Sequence, residues 1–126
     1  MAKTTQLILT LQSKPGVLAS VSRALADARV NIVALSAAEA AGRGKIRMIV
    51  NNPGAAKRAL KKAKYRVSDE QAFTVRVGNK PGALARVVQK LAKARVNIKS
   101  AYATTAGRRA TVVITVGNAA KARRLL

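Results

Sequence analysis

Apolar and polar positions alternate at two well-separated places along the chain. Leu7, Leu9 and Leu11 are interleaved with Ile8 and Thr10, and Phe73, Val75 and Val77 with Thr74 and Arg76. A period of two sends successive side chains to opposite faces, so each run predicts a strand with one buried face. The spacing then changes. Leu18, Val21, Leu25 and Ala28 recur every three or four residues, as do Leu84, Val87, Leu91 and Ala94, which predicts a helix with an apolar stripe turned to a core. Period two returns afterwards, with Ile46, Met48 and Val50 in one stretch and Val112, Ile114 and Val116 in the other.

These two patterns are copies of one another. KPGVLASVSRALADARVNI, Lys14 to Ile32, recurs as KPGALARVVQKLAKARVNI, Lys80 to Ile98, 66 positions later and with 13 of 19 residues identical. Proline suits the first turn of a helix, where its missing N–H is no loss, and glycine lets the backbone turn tightly. Asn31 and Asn97 each follow a valine and open a second strand anchored by Ile32 and Ile98. Gly42 to Gly44 and Gly107 mark hairpin turns. A second helix is predicted over Ala55 to Lys64 and over Ala119 to Leu126. The first copy continues through Lys64 to Ser68, which reads as a fourth strand.

The element order is therefore βαββαβ, twice. It predicts an α+β protein of two ferredoxin-like modules, residues 1–70 and 71–126, each an antiparallel sheet with its helices on one face. By the repeat offset Leu126 corresponds to Leu60, so the second module lacks its last strand. In this order the fourth strand lies beside the first. Phe73 to Val77 would then carry unpaired backbone groups along one edge, and the edge is expected to be covered by Tyr65 to Ser68 or by a second chain.

Composition narrows the function. The chain has 126 residues, no cysteine and no histidine, and 25 Lys and Arg against four carboxylates, a formal net charge of +21. Such a field attracts anionic metabolites and polyanions and weakens with salt. Nonspecific nucleic-acid binding is one expected consequence. Without His, Cys or a cluster of metal-ligating side chains, no catalytic residue, metal site or cofactor is expected, and the chain is read as a non-enzyme. No apolar run is long enough for a membrane span and no cleavable signal is evident, so a cytoplasmic protein without membrane contact is expected.

The start of each long helix offers backbone N–H groups without intrahelical partners, together with the positive end of the helix dipole, and both favour a carboxylate. Gly16 and Gly82 present no side chain there. The Lys-Pro-Gly-x-Leu-Ala turns at Lys14 and Lys80, with the Ala-Arg-Val-Asn-Ile segments at Ala28 and Ala94, resemble the ACT domain, a ligand-binding module of amino-acid metabolism. Nearly the whole chain resembles a tandem pair of such modules.

The resemblance implies an amino acid or similar small carboxylate as ligand, held where modules meet and acting as a regulatory, allosteric signal to an unidentified enzyme or regulator. It implies a homodimer as well. Family members carry an asparagine two positions before the proline that contacts the ligand; Asn79 matches it and Ser13 replaces it. Where they can carry a histidine two positions earlier, this chain has Leu11 and Val77. The implied site is Asn79, Lys80, Gly82 and Ala83 with Asn31 reaching across from another copy. A mirror site comprises Ser13, Gly16, Val17 and Asn97.

A basic nucleic-acid-binding protein on a ferredoxin-like scaffold is the alternative. RNA readers of this architecture stack bases on strand aromatics, whereas the strands here set Thr74, Arg76, Lys45, Arg47, Thr111 and Thr115 on the open face.

Overall fold

The structure is a computed structural model and describes residues 2–125. In chain order the elements are β1 (Ala2–Gln12), α1 (Val17–Asp27), β2 (Ile32–Ala40), β3 (Arg43–Val50), α2 (Pro53–Lys62), β4 (Val67–Gly78), α3 (Ala83–Lys93), β5 (Ile98–Ala106), β6 (Arg109–Val116) and α4 (Ala119–Leu125). No helix among the described residues is long and apolar enough to cross a membrane.

The chain divides into two compact units. One comprises Thr5–Glu70; the other comprises residues 71–125 together with 2–4. In the first unit the strand order is β2-β3-β1-β4, and in the second it is β1-β4-β6-β5. Each is the four-stranded antiparallel sheet of a ferredoxin-like module. Among the described residues α4 is the last element of the second unit, and the first residues of β1 stand as its fourth strand.

Two expectations are corrected here. Tyr65 to Ser68 and Phe73 to Val77 are not separate strands, since β4 runs unbroken from Val67 and nothing from Asp69 to Gln71 interrupts it. The far side of Phe73 to Val77 is consequently not covered by Tyr65 to Ser68, because β4 is flanked by β6 and β1. Tyr65 itself lies just past α2, where its N–H donates to the Leu60 carbonyl at 2.9 Å.

Each unit has its own aliphatic core on the helix-bearing side of its sheet. In the first, Leu7, Leu9, Ile46 and Met48 pack with Val21, Leu25, Ala56 and Leu60. In the second, Phe73, Val112 and Ile114 pack with Leu91 and Ala122. The predicted stripes are only partly core. Val21, Leu25 and Leu91 are buried, but Leu18 and Leu84 are 41% and 47% exposed. They sit in the first turn of their helices. Ala28 lies just past the last turn of α1 as its C-cap.

The repeated Ala-Arg-Val-Asn-Ile segment is a helix stop. Arg29 and Arg95 take left-handed backbone angles, with φ of 58° and 59°. Their N–H groups bond to the Ala26 and Ala92 carbonyls, and the following Val30 and Val96 N–H groups bond to Leu25 and Leu91. This is the paired 5→2 and 6→1 closure that satisfies the last carbonyls of a helix, and it usually employs glycine. Lys64 closes α2 the same way at φ 68°. A side chain in this region is strained, so Arg29→Gly and Arg95→Gly are each expected to raise stability by up to about 1 kcal/mol, measured by denaturant unfolding. Val30 and Val96 are buried and must stay apolar.

Candidate functional site at the first Lys-Pro-Gly turn

At the end of β1 the chain turns sharply into α1. Gly16 holds the helix cap at φ 88°, Gly82 does the same at 86°, and neither cap has a side-chain hydrogen bond. A methyl group at either glycine would meet nothing within 4 Å. Glycine is therefore demanded by the backbone angle rather than by crowding. The Val17 N–H donates to the Lys14 carbonyl and the Ala83 N–H to the Lys80 carbonyl, closing equivalent turns.

The first turn is tied to the tip of the β2–β3 hairpin, where the Ser13 N–H donates to the Gly42 carbonyl at 3.0 Å. Together they enclose a cleft of about 180 Å³. Ser13 and Lys14 line it from the turn, and Val17 and Leu18 from α1. Strand pairing builds the opposite wall. Leu11 lies across from Gly44, and Gly44 across from Glu39. One row further in, Leu9, Ile46 and Ala37 are aligned in the same way. Glycine in the middle of the outer row leaves the gap, and Ile46, from the core, forms part of its floor. The exposure of Leu18 is thus the exposure of a cleft wall.

The other site residues are distributed as follows. Gly16 is in the turn, beside Val17. Asn31 lies beyond the far end of α1, about 16 Å from the cleft along an eleven-residue helix. Its N–H donates to the Asn51 side-chain oxygen at 2.9 Å, and its carbonyl accepts from the Asn51 N–H at 3.1 Å. The side chain of Asn31 is exposed. Asn97 is likewise exposed past α3, and its carbonyl accepts from Gly117. Neither asparagine is brought to the turn of its own unit. Asn79 donates its side-chain N–H to the Gly107 carbonyl at 3.0 Å and its backbone N–H to the Arg108 carbonyl at 2.8 Å, so it clamps the turn to the β5–β6 hairpin. Lys80 and Gly82 are exposed beside it, and Ala83 is buried.

Sequence reasoning missed Glu39, Gly44 and Ala37. The signal lay in the hairpin register. Once Gly42 is taken as the turn, pairing outward from it sets Gly44 against Glu39.

Charge around the first unit is partly compensated. Lys57 donates to Asp69 at 2.7 Å, and this hydrogen bond, with the Lys57 charge and a smaller contribution from Lys61, holds the Asp69 carboxyl below its ordinary value. A carboxylate depressed in the folded state stabilises above its unfolded value, near pH 4, and ceases to do so as pH falls through the folded one. Lys57→Met is accordingly expected to lower stability slightly at pH 7, with the difference shrinking in acid as the folded-state carboxyl becomes protonated. Paired denaturant titrations at neutral and acid pH check it.

The face of the sheets opposite the helices departs from its expected exposure at one position. Thr115, expected on the open face, is 3% exposed, and its neighbours Val113 and Ala72 are buried. Thr115 and Val113 belong to β6, the strand flanked on both sides by β4 and β5. Arg76 and Lys45 are exposed on their strands.

Comparison with known proteins agrees with this architecture. The crystal structure of protein BT0572 from Bacteroides thetaiotaomicron is similar at a TM-score of 0.94 and 35% identity, over 98% of this chain and 86% of that one. The regulatory subunit of aspartate kinase from Thermus thermophilus, in its ligand-free form, is similar at 0.70 and 23%, over 98% and 92%. That from Thermus flavus is similar at 0.68 and 18%, over 89% and 82%. No curated protein matches the chain significantly. The family described as ACT domain pair matches residues 2–126, and with two βαββα halves each closed by a fourth strand, the chain belongs to the ACT domain family.

Proposed function

We propose that this protein is a non-enzymatic sensor that binds an amino acid and reports its occupancy to an enzyme or regulator. The observation that carries this reading is the cleft at the first Lys-Pro-Gly turn, in a chain built as an ACT domain pair. A mostly apolar concavity with a few convergent polar groups is the usual form of a small-molecule site. Here Lys14 and the helix-start amides near Gly16 and Val17 favour a carboxylate. The likeness to the aspartate kinase regulatory subunits is one of fold, and the amino-acid reading rests on the family and on the cleft.

Ser13, Gly16 and Val17 frame the ligand in the first unit, and Asn79, Lys80, Gly82 and Ala83 in the second. Asn31 and Asn97, exposed at the far ends of the helices, contribute from the facing chain of a homodimer in the cytoplasm. Ligand favours one arrangement of that dimer by no more than its differential affinity for the two arrangements.

A melting-temperature screen of the full chain against the twenty amino acids tests the reading. One amino acid is expected to raise the transition progressively with concentration, reaching about 2.7 kcal/mol of stabilisation at a hundredfold excess over Kd. Absence of any shift, beside tight and sequence-defined RNA binding, would replace it with the nucleic-acid alternative. Such RNA binding would weaken steeply with salt at this net charge.

A further inference from the structure

The first unit's cleft differs from the equivalent place in the second unit at the positions that would choose a ligand. The row Leu11, Gly44, Glu39 becomes Val77, Ala110, Thr105. The methyl of Ala110 occupies the middle of that row and is itself 8% exposed. Only the first unit combines a side-chain-free centre with a carboxylate at its rim.

That carboxylate stands out against the charge of the chain. Of four carboxylates among 25 cations, Asp27 pairs with Arg23 at 3.7 Å, Asp69 with Lys57 at 2.7 Å, and Glu70 accepts from the Gln6 side chain at 2.9 Å. Among the described residues Glu39 forms no ion pair, and it lines the cleft that Lys14 also lines. Gln12 and Ser13 add two polar groups at the turn, and the rest of the wall is aliphatic, with Leu11, Val17, Leu18 and Ile46 as its larger side chains. The cleft measures about 180 Å³, well above what a single water needs. This space suits one small metabolite.

We infer that this cleft selects the zwitterion of an aliphatic α-amino acid of the valine, isoleucine and leucine class, with Glu39 receiving the α-ammonium and Lys14 the α-carboxylate. The inference rests on the amino-acid reading above and sharpens it to one class of side chain and to the first unit. Both ends of the ligand form charge-assisted hydrogen bonds, the strong kind. The aliphatic part of the wall disfavours a charged side chain placed against it, because its polar atoms would lie there without partners. Glu39 serves specificity in a second way: in a field of +21 it is the group that makes a bare carboxylic acid a poorer ligand than an amino acid.

Titration calorimetry on the full chain with leucine, 4-methylpentanoate (no ammonium) and 3-methylbutylamine (no carboxylate) tests it. Leucine is expected to bind at least tenfold more tightly than either analogue. Glu39→Gln should weaken leucine at least tenfold and leave 4-methylpentanoate bound as tightly or more tightly; Lys14→Met should weaken leucine while sparing the amine. Gly44→Leu fills the centre of the row and abolishes binding. Its backbone angle is not left-handed, and a Cβ there meets only ordinary contacts at 3.9 and 4.0 Å, so an unchanged unfolding midpoint is the control. Tighter binding of serine, lysine or aspartate, or leucine binding indifferent to Glu39→Gln, would overturn this inference and leave the amino-acid sensor standing. If none of the twenty amino acids binds, both fall.

Discussion

Phe73→Ala will cost about 3–5 kcal/mol of unfolding free energy, the largest loss expected from any single side chain here. Phe73 is the one phenylalanine of the chain and has no exposed surface. It projects from β4 opposite Ile114 of β6 into a core otherwise made of Leu, Val, Ile and Ala. Branched aliphatics on strands have few alternative rotamers, so they will not close over the void, and the full cavity penalty will apply. Urea unfolding of the wild type and variant measures it, and a loss below about 2 kcal/mol would show that the site collapses readily. Phe73→Leu, which keeps more of the volume, should lose distinctly less than the alanine variant.

The second large effect exploits the duplication. Leu25 and Leu91 occupy the same place in the two copies, and their exposures are 1% and 0%. Truncating either to alanine should cost about 2–5 kcal/mol. The two costs will differ, although the chemistry deleted is identical. Leu25 shares its core with Met48, an unbranched side chain that adapts to irregular gaps. Leu91 shares its core with Phe73, Val112 and Ile114, which are stiffer. Leu91→Ala is therefore expected to be the more damaging, and parallel urea titrations of both variants decide the order. The reverse order would mean that Met48 has no room to move.

Much of this architecture was legible because the hydrophobic period changes where the structure does. The alternation of Leu7 and Leu9 and the stripe through Val21 and Leu25 identified elements whose buried faces meet. The errors have local causes. Tyr65 has a strand-forming side chain and was read as strand, but Lys64 closes α2 in a left-handed conformation, and no propensity of Lys announces that. Leu18 and Leu84 fit the helical stripe by number yet stay partly exposed in the first turn of their helices, Leu18 as a wall of the cleft. In the site, the glycines of the turns were legible, whereas the clamp from Asn79 to Gly107 depends on how a hairpin tip meets the turn. Glu39 was invisible for the same reason. It lies 25 positions from Lys14, and only the register of two strand pairs brings them to one cleft.

The allotment of residues 2–4 to the unit otherwise made of residues 71–125 bears on how the chain is born. Residues 2–4 are synthesised before the rest of that unit, and the sheet that needs them is not complete until β6 and α4 have emerged. The opening segment must stay available through nearly the whole of synthesis. A gene cut between the repeats would encode a latter half deprived of its borrowed strand. The dependence runs one way: the unit Thr5–Glu70 is built from the first repeat alone, whereas the other unit draws residues 2–4 from it.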